Sequence, residues 1–122
     1  MKSYCYLIHL DSACGRNFYG GASHYVGYSN NIQRRLANHA AGQGDGSKFT
    51  TEASRKGYDL KLGNLWYGNK DFEKKLHKMN GKYHCKLCKK VKGSFDKYEV
   101  SSILYTKMSK FFDANKPLNC SL

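Results

Sequence analysis

The sequence predicts a small α/β domain, a three-stranded sheet flanked by helices in the order β-β-α-α-β-α-α. Three observations predict it. The chain has 122 residues with a single proline and no low-complexity stretch, which suits one domain around one modest core. Its composition, 40% hydrophobic and 25% charged, is that of an ordinary globular protein. Segments with the apolar pattern of strands are interleaved with segments whose apolar residues recur at helical spacing.

Tyr4 to Leu10 is aromatic and aliphatic, and it ends at Asp11-Ser12, so it reads as the first strand. A turn through Gly15 to Ser23 leads to His24-Tyr25-Val26-Gly27-Tyr28, a second strand and hence a hairpin. Ser29 or Asn30 is positioned to cap a helix running to about Ala40. Gly42 to Gly46 reads as a mobile loop, and a short helix around Lys48–Lys56 closes at Gly57. Tyr58 to Tyr67 reads as a third strand with a bulge near Gly63. A helix begins at Asp71, carries Phe72, Leu76 and Met79 on one stripe, and stops near Asn80-Gly81. The last helix runs from about Lys97 to Asp113, with Val100, Ile103, Leu104, Met108 and Phe111 at amphipathic spacing. Asp96 and Glu99 stand at its start in capping-box positions.

The charge narrows the function. Lysine and arginine total 21 against 9 acids, a net +12. Such a field attracts polyanions, and each phosphate contacted releases condensed counterions. A membrane surface is the poorer match, because no basic amphipathic helix with a broad apolar face is evident. The excess is local: Lys70 to Lys97 holds ten lysines and three acids. Phe72, Tyr83 and Phe95 are interleaved there, suited to core packing or to stacking on unpaired bases. The N-terminus reads directly into a strand, without a signal-peptide apolar region or a span of about 18 apolar residues. Five cysteines without regular spacing suit a reduced, intracellular and cytoplasmic protein.

On the helix after the second strand, Ile32, Leu36, Arg35 and His39 fall within one sector of roughly 100°. A cation and an imidazole beside an apolar stripe are either snorkelling side chains or the lining of a functional surface. Tyr4-Cys5-Tyr6-Leu7-Ile8, then Tyr25-Val26-Gly27, then Arg35 and His39, resembles the core of the GIY-YIG nucleases. Asp71-Phe72-Glu73-Lys74-Lys75-Leu76 resembles the family's helix that carries a metal-binding glutamate. The likeness covers roughly Tyr4 to Cys88. It departs at Tyr4-Cys5, where the family has Gly-Ile, and it leaves the family's late asparagine to either Asn80 or Asn119.

The resemblance implies a nuclease core over residues 1–88 and a C-terminal helical extension over 89–122 on the same domain. It implies metal-dependent hydrolysis of phosphodiester bonds, with DNA preferred to RNA as substrate; the form of the chain suits a bacterial or phage-encoded source. Arg35 is then the donor to the non-bridging oxygens, and Glu73 holds one divalent ion, Mg²⁺ or Mn²⁺. Tyr6 or Tyr25 orients or deprotonates water, provided cations such as Arg35 lower its pKa, and His39 assists. Glu99 is a rival carboxylate that its capping position explains. Singly, each residue has an ordinary reading too: Tyr6 and Tyr25 as core tyrosines, and Glu73 as a partner of His77 or Lys70 across a turn. Lys70, Lys74, Lys75, Lys78, Lys82 and Arg34 are the candidate backbone contacts. A homodimer or a protein partner would supply a second cut or target specificity.

His84-Cys85-Lys86-Leu87-Cys88 is a second constellation, since Cys85 and Cys88 make half a zinc site that Cys120, Cys14 or His77 would complete. A plain turn with two thiols, or a redox pair, reads the same segment. Two other functions therefore stand beside the nuclease: a non-catalytic nucleic-acid-binding module of the same fold, and a zinc-stabilised adaptor.

Overall fold

Alternation along Tyr4–Ser12 sends Tyr6, Ile8 and Leu10 to one face and Cys5, Leu7 and His9 to the other, and all six are buried. That two-sided burial follows from position. In the computed structural model, which describes residues 2–12, 23–41, 58–79, 84–88 and 96–113, this strand, β1, is central in a three-stranded antiparallel sheet. The edge strands are β2 (Ser23–Ser29) and β3 (Tyr58–Tyr67). The β1–β2 register sets Tyr6 opposite Gly27 and His9 opposite His24. On the β3 side the register shifts between Leu7 and Ile8, which face Asn64 and Leu62, so Gly63 is the bulged residue. The bulge was expected there.

Helix α1 (Ile32–Ala41) lays Ile32, Leu36 and Ala40 on the Tyr6 face. Its cap is Asn31, in place of the expected Ser29 or Asn30: Asn31 Oδ1 accepts from the Arg34 N–H at 3.4 Å, while Ser29 Oγ accepts from the Asn31 N–H at 2.9 Å. Helix α2 (Lys70–His77) covers the opposite face with Phe72 and Leu76. Asn69 caps it, its side chain accepting from the Phe72 N–H at 3.0 Å. Met79 is not part of that stripe. It lies past the helix end and is 44% exposed.

The C-terminal helix is shorter than expected. Asp96–Tyr98 is a single 3₁₀ turn, and α3 spans Ser102–Asp113. Glu99 does not cap it. Glu99 bridges the backbone of Trp66, and Ser101 Oγ accepts from the Leu104 N–H at 3.2 Å instead. Val100, Met108 and Phe112 join the core of the sheet and α1, with Leu104, Tyr105 and Phe111 packed against it. Ile103 points to solvent at 80% exposure, on the far side of the helix from that stripe. Among the described residues the order is β-β-α-β-α-α. The expected helix around Lys48–Lys56, the first turn and the Gly42–Gly46 loop lie outside the described residues, as do Asn80, Lys82, Tyr83, Phe95, Asn119, Cys14 and Cys120. Among the described residues no helix is long and apolar enough to cross a membrane.

Candidate functional site

Tyr6 lies in mid-sheet beside an edge strand, and it would be sealed in but for its neighbour. A Cβ on Gly27 would stand 2.3 Å from the Tyr6 Cζ and Oη atoms and 2.8 Å from Cε2. The glycine hydrogen is what lets the phenol lie across β2. Its hydroxyl then reaches α1, where Tyr6 Oη is 2.7 Å from His39 Nε2. Tyr25, two residues before Gly27 and on the same face, adds a third ring. The centroid separations are 5.3 Å for Tyr6–His39, 5.6 Å for Tyr25–His39 and 6.4 Å for Tyr6–Tyr25.

Helical spacing puts Arg35 one turn before His39, at the mouth of this cluster. A cavity of about 370 Å³ opens there, and Tyr6, Tyr25, Arg35, Lys70 and Glu73 all line it. Glu73 arrives from the opposite face of the sheet, because α2 packs beside β2 at its open edge. Four residues expected of the site, separated by as many as 67 positions in sequence, thus share one cavity. His39 is 1% exposed and sits behind Tyr6, outside that lining. Sequence reasoning did not single out Tyr28, Ser29 and Asn30, which complete the wall. Their signal was their place at the end of β2, immediately before the Arg35 helix.

Electrostatics assign the protons. Burial, reinforced by the neighbouring Arg35 cation, holds His39 down at about 4, so the imidazole is neutral at pH 7. Burial also pushes the Tyr6 phenol well above its ordinary range, with Tyr25 and Glu73 adding to the effect. Arg35 does act to lower it, as expected, but is outweighed. Tyr6 is therefore a neutral phenol facing a neutral imidazole; with His39 in its Nδ1–H tautomer the hydroxyl donates to Nε2, which leaves the phenol oxygen's lone pairs as acceptors.

Glu73 makes a contact of 3.6 Å with His77 one turn on, so His77 serves α2 and not the cysteine segment. Glu99 is occupied elsewhere, taking Lys86 Nζ at 3.2 Å and Asn64 Nδ2 at 3.2 Å. Lys74, Lys75 and Lys78 are exposed along or just beyond α2, and Arg34 is exposed on α1. Lys70 Nζ lies 5.8 Å above the Tyr28 ring, beside the cavity.

The second constellation is completed by residues that sequence reasoning missed. Cys85 and Cys88 meet His9 and His24, and the four donor atoms lie within 4.8 Å of one another, a group able to hold a metal ion. The signal was in the hairpin register: once Tyr6 faces Gly27, His9 must face His24 on the α2 side of the sheet. No protein-family model matches this chain, and no curated protein or solved structure matches it either.

Proposed function

We propose that this protein is a divalent-metal-dependent endonuclease of the GIY-YIG kind, hydrolysing phosphodiester bonds, with DNA as the first substrate to test. The observation that carries the reading is the convergence of Tyr6, Tyr25, Arg35 and Glu73 on one cavity, backed by the Tyr6–His39 hydrogen bond. Four chain segments and both sheet faces contribute, an arrangement that packing alone does not require.

Each residue's task follows from its chemistry. Arg35 offers a rigid, permanently charged fork to the non-bridging phosphate oxygens. Tyr6, its proton committed to His39, presents lone pairs that accept a hydrogen bond from a water and aim it at phosphorus. As that water loses its proton to Tyr6, the phenol can pass its own to neutral His39, which keeps the tyrosine uncharged. Glu73 is half-buried and faces the cavity, and one carboxylate with open space beside it fits Mg²⁺ or Mn²⁺, which keep several waters when bound. When bound, such an ion supplies positive charge to the leaving oxygen. Lys70, Lys74, Lys75 and Lys78 on one side of the cavity, and Arg34 on the other, suit a backbone running across it.

The test is cleavage of plasmid and branched DNA with Mg²⁺, Mn²⁺ or EDTA by the wild type, Arg35→Ala and Glu73→Ala, with binding measured in parallel by fluorescence anisotropy. Metal-dependent cutting is expected, reduced about 10²–10³-fold in Arg35→Ala, as for loss of one charge-stabilising donor. Glu73→Ala should retain binding and lose cutting. Binding without cutting by the wild type on DNA and RNA alike would replace this reading with a non-catalytic binding module, which the net charge of +12 would equally serve.

A further inference from the structure

On the face of the sheet turned away from α1 and α3, four soft or borderline donors converge and the proposed nuclease chemistry uses none of them. His9 Nδ1 lies 3.3 Å from His24 Nε2, 3.4 Å from Cys85 Sγ and 3.5 Å from Cys88 Sγ, and Cys88 Sγ lies 3.4 Å from His24 Nε2. These separations have a diagnostic size. Zinc bonds of about 2.05 Å to nitrogen and 2.3 Å to sulfur, at tetrahedral angles, place nitrogens about 3.3 Å apart and sulfur about 3.55 Å from nitrogen. The four measured distances all fall within about 0.2 Å of those values.

The surroundings are built for the same purpose. Lys86–Cys88 is a turn that brings Cys85 and Cys88 into the same group of donor atoms as the two histidines. The turn is tied down at two points. The Lys86 N–H donates to the Gly63 carbonyl at 2.9 Å, and Asn64 Nδ2 donates to the His84 carbonyl at 2.9 Å. Gly63, the bulged residue of β3, leaves room for the sulfur, since a Cβ there would lie 3.0 Å from Cys85 Sγ. The neighbouring imidazole takes no part: His84 Nε2 is 3.2 Å from Met79 Sδ.

We propose that His9, His24, Cys85 and Cys88 form a tetrahedral structural zinc centre that fastens the 84–88 turn to the β1–β2 hairpin. Two nitrogens and two sulfurs in a tetrahedral set select zinc over magnesium or manganese, which take oxygen ligands. Four protein ligands leave no open position, so the ion is a cross-link and not a catalyst. A Cys85–Cys88 redox pair would not need two imidazoles in contact with the thiols. The cross-link also has a mechanical consequence. Residues 82–90 include four lysines, and of the described turn at their centre, residues 84–88, Cys85 is the one fully buried member of the apolar cluster, with Cys88 packed against it. Zinc holds the 84–88 turn against the sheet where hydrophobic burial alone would be thin.

The test uses untagged full-length protein purified without chelator. Elemental analysis should give one zinc per chain. Cobalt substitution of the wild type should give the intense visible d–d bands of tetrahedral cobalt and a near-ultraviolet thiolate charge-transfer band. His24→Ala and Cys88→Ser, at the two half-exposed ligands, should drop the zinc content below 0.2 per chain by circular-dichroism-checked folded protein, a threshold of about one-fifth occupancy for a site losing a structural ligand. Glu73→Ala should leave zinc content unchanged, which separates this centre from the proposed nuclease site. Zinc-free wild-type protein whose thiols are shown reduced, octahedral cobalt spectra, or full zinc retention in both ligand variants would each overturn the proposal. So would a Cys85–Cys88 disulfide found by mass spectrometry of the protein as isolated.

Discussion

Replacing Gly27 by alanine tests the geometry that the whole site depends on. The added Cβ would sit 2.3 Å from Tyr6 Cζ and Oη, against about 3.5–4.0 Å for an ordinary carbon contact, so something must move by more than 1 Å. The ring has no easy escape: Tyr6 is 1% exposed, and its hydroxyl is held 2.7 Å from His39 Nε2. Overpacking of this kind costs about 1–3 kcal/mol. Displacing the phenol also leaves two buried polar groups without each other, a further 1–3 kcal/mol or so. Against that, alanine restricts the unfolded chain and returns about 0.4–1 kcal/mol, since Gly27 does not need a positive φ. The expected net loss is about 2–4 kcal/mol, a fall in Tm of roughly 10 °C for a domain of this size. Urea unfolding followed by circular dichroism measures it, and a second background identifies the cause. Leucine at position 6 ends short of the Cε2, Cζ and Oη atoms that crowd Gly27. In Tyr6→Leu protein the Gly27→Ala change should therefore cost less than about 0.5 kcal/mol, or stabilise. Equal costs in the two backgrounds, or a neutral Gly27→Ala in the wild type, would refute the crossing of β2 by the phenol.

Two other outcomes are expected. His39 titrates at about 4 in the folded protein against 6.5 unfolded, so the unfolded chain binds the extra proton as pH falls. Stability from this group is complete above pH 6.5 and is lost through the window down to about 4, amounting to about 2 kcal/mol between pH 7 and pH 5; the pH 7-to-5 change in urea stability should shrink by that amount in His39→Asn, and an unchanged pH dependence would contradict the burial argument. Asn64→Ala removes the bonds to the His84 carbonyl and the Glu99 carboxylate and strips the Leu65 N–H of its 2.8 Å acceptor, so it should cost about 1–3 kcal/mol in denaturant unfolding, whereas a cost under about 0.5 kcal/mol would mean those groups find other partners.

The local pattern was legible in the sequence: three strands, the bulge at Gly63, and most of the apolar stripe on each helix, Met79 and Ile103 excepted. It was legible because period-two alternation and helical spacing are written residue by residue. The sequence also marked Tyr6, Tyr25, Arg35, His39 and Glu73 as residues to watch, through the spacing that resembles a nuclease core. Two kinds of information were beyond its reach. One was how chain ends and helix starts resolve where several polar residues compete: Glu99 looked like a cap, yet the extended backbone at Trp66 drew it into a bridge, and Ser101 took the role. The other was convergence across the sheet. Cys85 and Cys88 looked like half of a pair because their partners, His9 and His24, are 76 and 64 residues away. Only antiparallel register brings those histidines side by side, and only the docking of the 84–88 turn over the β3 bulge brings the thiols to them. Likewise, the glycine of Tyr25-Val26-Gly27 reads in the sequence only as one residue of the second strand. In the folded chain it is the gap through which a buried tyrosine reaches its histidine, because the space a side chain denies can be read only from what lies opposite it.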